Sequence, residues 1–174
     1  MQNNWYVLTG GPGSGKTTLT TALKNRGYQT LAESARYYIE EQWARGLSTV
    51  QIRANEQSFQ EAVFQHKQKM HQKTDPEILT FFDRGYHDTI AYLEYHRQTI
   101  ASFITKTCNQ TKYKKIFVLD MLPYNQDKAR IETQTTAQKL HKALIKTYQA
   151  YGQELISVPV MTVPERVEFV LNHL

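Results

Sequence analysis

A chain of 174 residues is long enough to bury one sizeable core and short for two. Its apolar fraction of 40% excludes a disordered polymer, no run approaches the roughly 18 apolar residues of a membrane span, and a single cysteine, Cys108, excludes an internal disulfide and points to a reducing compartment. The net charge of +5 comes without a nucleic-acid recognition motif, so part of the excess is read as meeting nucleotide phosphates, and a nucleic-acid partner is not expected.

The first apolar run, Trp5 to Thr9, reads as a strand. A Gly-rich segment follows, and Leu19, Ala22 and Leu23 then carry helical spacing up to the turn at Gly27. A second strand is expected over about Gln29 to Ala32, then a helix with Ala35, Ile39 and Trp43 on one side, stopped at Gly46. Ser48 and Gln51 have capping-box spacing, and the helix they open is expected to run to about Lys73. Asp75-Pro76 breaks the chain before a third strand, about Ile78 to Phe82. Asp88 to His96 and Ile100 to Thr107 read as one broken helix or two. The fourth strand is Lys115 to Leu119, with Lys112, Lys114 and Lys115 as a solvated basic cluster at its start. Leu140, Leu144, Tyr148 and Tyr151 mark a further helix, and a fifth strand runs from Leu155 to Val160 after Gly152. Thr162 and Glu165 form a second capping box, with Pro164 in the first turn, and the last helix is expected to bury Val167, Val170, Leu171 and Leu174. Strands that alternate with long helices predict an α/β fold. The expectation is a five-stranded parallel sheet between helical layers, in one domain over residues 1–174.

The Gly-rich segment is Gly10-Gly11-Pro12-Gly13-Ser14-Gly15-Lys16-Thr17, which fits G-x-x-x-x-G-K-[ST] between a strand and a helix. Glycines let backbone N–H groups approach a phosphate, and the helix that follows offers free N–H groups and its positive end to an anion. Lys16 is suited to the β- and γ-phosphates, and the Thr17 hydroxyl to Mg²⁺. The expected nucleotide-binding set is residues 10–17 with Thr18. ATP is the expected donor, with GTP as the alternative, although no Asn-Lys-x-Asp guanine motif occurs. A loop that begins at residue 10 leaves little room for a leader before it, so a cytoplasmic location is expected.

In an open parallel sheet, ligands sit beyond the carboxyl ends of the strands, and several charged groups fall there. Glu33, after the second strand, is placed either to accept a proton from a substrate hydroxyl or to stabilise the start of the next helix. Asp83 ends Leu79-Thr80-Phe81-Phe82-Asp83 in the Walker-B manner and is assigned to the magnesium or acceptor end. Arg84 clamps a phosphate or the substrate, or pairs with an acid such as Asp88. Asp120, after the fourth strand, is a rival to Asp83 and ranks below it. The polar segment from Pro123 to about residue 135 is read as a closing lid, with Arg130 as its phosphate-facing cation and Lys128 as the alternative. The six histidines do not show a metal-ligand spacing.

Together, G-G-P-G-S-G-K-T, A-E-S-A-R, F-F-D-R-G-Y-H-D and V-P-V-x-T-V-P-E-R-V resemble the AAA-type P-loop ATPase domain found in bacterial ribosylnicotinamide kinases. Such domains look like small nucleoside and nucleotide kinases rather than ring-forming motors. The resemblance implies roles for Lys16, Thr17, Asp83, Arg84 and Arg130 by position. It also places Glu33 like the base of deoxynucleoside kinases, and the third strand beside the first. It does not extend to the adenylyltransferase and DNA-binding domains of the bacterial enzyme, so it does not fix the acceptor. The leading expectation is a kinase acting on a nucleoside-like or nucleotide-like small molecule, and its rival is a nucleotide-binding regulatory ATPase acting on a protein partner. Arg36, Tyr37, Asn55 and Phe59 are candidates to meet the acceptor, or else ordinary packing residues of two helices. The oligomeric state is not encoded in any motif.

Overall fold

The computed structural model describes residues 3–123 and 133–174. Five parallel strands, β1 (Trp5–Thr9), β2 (Gln29–Leu31), β3 (Thr80–Asp83), β4 (Lys115–Leu119) and β5 (Leu155–Val158), form one sheet in the order β2-β3-β1-β4-β5. The reversal of strand order places β3 on one side of β1 and β4 on the other, with Leu8 opposite both Asp83 and Phe117. Eight helices connect the strands among the described residues: α1 (Lys16–Asn25), α2 (Ser34–Ala44), α3 (Thr49–Ile52), α4 (Glu56–Gln72), α5 (Tyr86–Tyr95), α6 (Ser102–Gln110), α7 (Gln134–Ala150) and α8 (Val163–Asn172). No helix among the described residues is long and apolar enough to cross a membrane.

The period of two along each strand divides the core. Tyr6, Leu8, Phe81, Phe117 and Leu119 face a cluster closed by Leu19 and Leu23 of α1 and Val167 and Val170 of α8. Val7, Phe82, Ile116 and Val118 face the other, closed by Phe64, Ile90, Leu93, Ile104 and Tyr148 from α4 to α7. Burial on both faces explains why the central strands read as near-continuous apolar runs.

Most elements lie where the sequence places them, and the departures have local causes. The helix expected from Ser48 to Lys73 is two. The Ser48–Gln51 capping box opens the single turn of α3, and α4 begins afresh where the Asn55 side chain accepts the Ser58 N–H at 2.9 Å. The strand expected at Ile78 starts at Thr80, because the Ile78 N–H closes a turn onto the Asp75 carbonyl and the Thr80 N–H is the one that reaches Asn4. β5 stops at Val158, before Pro159, which has no N–H to continue a ladder. The segment after β3 holds two helices, α5 starting at Tyr86 because Asp88 reaches back to the Gly85 N–H at 3.0 Å. The Thr162–Glu165 capping box is formed, but Leu174, expected in the core, is 36% exposed, since α8 ends at Asn172.

Candidate active site

The Gly-rich loop leaves β1 and enters α1. Gly10 has φ of 141°, and a Cβ there would stand 2.7 Å from the Leu119 carbonyl oxygen, so the tight exit from β1 requires glycine. Lys16 opens α1 and is buried, its Nζ donating to the carbonyls of Gly10 at 3.0 Å and Gly11 at 2.9 Å and to the Ser14 hydroxyl at 3.2 Å. Burial, with Arg84 nearby, lowers its pKa to about 8 against the opposing pull of Asp83 and Glu33. The first helix-type bond of α1 runs from the Leu19 N–H to Gly15, which leaves the amides of Lys16, Thr17 and Thr18 ahead of the helical ladder. Thr17 and Thr18 line an open groove of about 440 Å³ with Thr21, Ala22, Asn25 and Val163. On the far side of the loop, the Gly11 N–H donates to His141 Nδ1 of α7 at 3.2 Å.

The two candidate acids at strand ends differ. Thr17 Oγ1 donates to Asp83 Oδ2 at 3.3 Å, whereas Asp120 Oδ1 accepts from Ser157 Oγ of β5 at 3.0 Å. Asp83 is buried, and its Oδ1 has no hydrogen-bond partner among the described residues. Burial, and next the Glu33 charge, push its pKa up to about 6. A buried carboxylate with an orphaned oxygen beside a Thr hydroxyl fits the sparse protein ligation of Mg²⁺, which takes one or two protein ligands and completes its shell with phosphate and water. The residues present therefore suit the cation that a Gly-Lys-Thr loop implies.

Beyond Asp83, the backbone turns through Arg84 with φ of 71°, a left-handed conformation that costs a non-glycine residue about 1–3 kcal/mol. Three contacts hold the side chain: Nε donates to Glu33 Oε1 at 2.6 Å, Nη1 donates to Asp88 Oδ1 at 3.0 Å, and the guanidinium lies 5.2 Å from the Tyr92 ring centre. Burial alone would raise Glu33, but the Arg84 charge overrides it and keeps the carboxylate below its ordinary range. Asp88 behaves in the same way. It is 1% exposed, and Thr9 at 2.8 Å, Gly85 N–H at 3.0 Å and the Tyr148 hydroxyl at 2.5 Å complete its four hydrogen bonds. Lys67 Nζ, whose pKa burial lowers to about 8, fixes the same turn by donating to the Gly85 carbonyl at 2.8 Å.

Lys16, Thr17, Asp83, Arg84 and Glu33 are thus brought together at the β1–β3 edge. Glu33 stands at the N-cap of α2 without a side-chain capping bond, so its carboxylate serves Arg84 rather than the helix. Arg130 and Lys128 lie outside the described residues, as does most of the expected lid. Of the four residues offered for the acceptor, Phe59 is buried in the core and Asn55 caps α4, both structural tasks; Arg36 pairs with Glu40, and Tyr37 stacks on His66 with ring centres 4.5 Å apart. Sequence reasoning gave Asp88 as a partner for Arg84 but used Tyr148 only to mark a helix and assigned no role to Lys67, His141 or Arg166. Their contacts join residues far apart in the chain, and only the capping distance from Gly85 to Asp88 was a local signal.

Residues 5–166 match the profile of a family described as AAA domain. No curated protein matches the sequence. Among solved structures, the deoxyadenosine kinase of M. mycoides with bound dATP superposes with a TM-score of 0.63 at 13% identity, over 97% of this chain and 98% of that one. The thymidylate kinase of Candida albicans gives 0.66 at 12% identity, over 99% and 91%. The NadR protein in complex with NR gives 0.70 at 14% identity, over 97% of this chain and 49% of NadR, so the chain spans about half of that protein. At these identities the likeness establishes the fold, which is that of P-loop kinases.

Proposed function

The chain belongs to the AAA domain family, and from that membership and the chemistry gathered at the β1–β3 edge we propose that it is an ATP-dependent small-molecule kinase, transferring the γ-phosphoryl group to a nucleoside-like or nucleotide-like metabolite. The observation that carries this reading is the adjacency of two tools. Thr17 and Asp83 suit a metal-bound triphosphate, and Glu33 with Arg84 lies next to them, where a second substrate would meet the γ-phosphate. A domain that only hydrolysed nucleotide to signal would have less use for a buried carboxylate–guanidinium pair held in a strained turn. GTP is the alternative donor.

In this reading the loop amides and Lys16 hold the β- and γ-phosphates, so most of the rate enhancement comes from positioning and charge stabilisation. Mg²⁺ held by Thr17 and Asp83 would supply charge neutralisation on those oxygens. With a hydroxyl acceptor, its oxygen forms a bond to the γ-phosphorus, the bond from that phosphorus to the β–γ bridging oxygen breaks, and the proton passes to Glu33. Arg84 keeps Glu33 ionised and ready to accept it. Arg130 is assigned the lid cation on the transferring group.

The test is a screen of nucleosides, nucleotides and sugars with ATP and GTP as donors, with Lys16→Ala as control. The proposal expects one acceptor class to turn ATP to ADP with a matching phosphorylated product. ATP turnover that no acceptor accelerates would favour the regulatory ATPase instead.

A further inference from the structure

The V-P-E-R-V segment at the start of α8 has no part in the chemistry above, yet Arg166 within it is 3% exposed and faces the phosphate loop from behind. Its guanidinium spends its hydrogen bonds on backbone carbonyls rather than on a carboxylate. Nε donates to Pro159 at 3.0 Å, Nη2 to Asp120 at 3.2 Å, and Nη1 to Ser14 at 2.6 Å. One side chain thus ties the ends of β4 and β5 to the loop after β1. The fork of donors explains why arginine stands here, since a lysine could not hold three divergent carbonyls in a fixed plane.

The short bond to Ser14 has an electrostatic consequence. The Ser14 carbonyl and the Gly15 N–H belong to one peptide unit. A cation that draws on the carbonyl oxygen polarises the unit and makes the N–H a stronger donor. Gly15 is the N-cap of α1, with φ of 87°, and a Cβ there would lie 3.1 Å from Arg166 Nη1. Lys16 donates to the carbonyls of Gly10 and Gly11, but the first shares its peptide with the Gly11 N–H, which donates to His141, and the second with Pro12, which has no N–H. Of the two cations that engage the loop's carbonyls, Arg166 is therefore the one whose carbonyl shares its peptide with an N–H at the start of α1.

We propose that Arg166 is a positioning residue for phosphate binding, which acts through the Ser14–Gly15 peptide to strengthen the Gly15 amide as a donor and to fix the loop against the ends of β4 and β5. This rests on the reading of residues 10–17 as a phosphate site.

The experiment compares the full-length wild type with Arg166→Met and Arg166→Lys by calorimetry with inorganic tripolyphosphate, and follows the Gly15 amide and the Arg166 side-chain N–H groups by NMR. Arg166→Met should weaken tripolyphosphate about tenfold and move the Gly15 amide proton upfield. Arg166→Lys, which keeps the charge and reaches at least one carbonyl, should recover part of both. A purely structural arginine would change the melting temperature without this ordered recovery, and a folded Arg166→Met that binds tripolyphosphate like wild type overturns the proposal. If Arg166→Met does not fold, the wild type decides: the Gly15 amide and the Arg166 Nη1 proton should shift downfield together as tripolyphosphate is added, and a Gly15 shift with Arg166 unmoved contradicts the coupling. A wild type that binds neither tripolyphosphate nor ATP overturns the phosphate-site reading, and this inference with it.

Discussion

β3 and β4 flank the same central strand, and each delivers an aspartate after an apolar run, yet the two ends are built for different work. Asp83 is buried beside the Thr17 hydroxyl with one oxygen orphaned among the described residues, and the next residue is a strained arginine tied to two further acids. Asp120 is half-buried, and its carboxylate turns to a serine of the neighbouring strand. Two apolar runs that end in Asp look alike locally, and the sequence offers only a ranking of Asp83 over Asp120. The difference lies in which strand edge the following turn faces and in what the helices behind it supply.

The sharpest way to break the comparison is to alter Glu33, the proposed base on the β3 side. Glu33→Gln keeps the shape and removes the basicity, so phosphoryl transfer should fall about 10²–10⁴-fold while nucleotide affinity stays nearly constant. Kinetics and calorimetry on the same preparation would read both. A loss of affinity with no specific effect on transfer would make Glu33 a structural partner of Arg84.

A smaller effect is expected from the support beneath Arg84. Tyr148→Phe removes one of four hydrogen bonds to the buried Asp88 carboxylate and should cost about 1.5–3 kcal/mol, read as a denaturant midpoint. The matching change on the β4 side, Ser157→Ala, removes an exposed hydrogen bond to Asp120, where water takes the serine's place, and should cost no more than about 0.5 kcal/mol. Equal costs would erase the distinction between the two ends.

The core behind β3 also sets a pH dependence. Burial lowers the pKa of His87 to about 4 and that of His71 to about 3, so both rings are neutral when folded and protonate more readily when unfolded. These rings should therefore make stability fall as pH drops below about 6.5, by about 1.4 kcal/mol per unit each until the folded-state values are reached, against an opposing rise below about pH 6 from Asp83, whose raised pKa lets the folded state take up its proton first. His87→Phe should make the slope between about pH 6.5 and 4 shallower by one ring's share. Thermal melts across that range would check it, and an unchanged slope would exclude His87 as the cause.

Much of this molecule can be read from its sequence. The alternation along β1 and β4, the Gly-Lys-Thr loop and the Ser48–Gln51 and Thr162–Glu165 capping boxes are local patterns, and the structure forms each of them. The break at Asn55 escaped because no glycine or proline marks it; a side-chain cap does. Tyr148 and Arg166 escaped for a different reason. One meets Asp88 across 60 positions and the other meets Ser14 across 152, and no window of sequence contains such a pair. What local patterns convey is the loop and the acids at strand ends. What they omit is the layer behind, which decides how Arg84 and the loop are held.

The most direct measurement is ATP affinity in Asp83→Asn and Asp120→Asn, each with and without Mg²⁺. If Asp83 serves the metal end of the site, Asp83→Asn should lose most of the magnesium-dependent gain in affinity while metal-free binding is kept, and Asp120→Asn should behave like wild type in both conditions. A magnesium effect that survives in Asp83→Asn and disappears in Asp120→Asn would contradict the account.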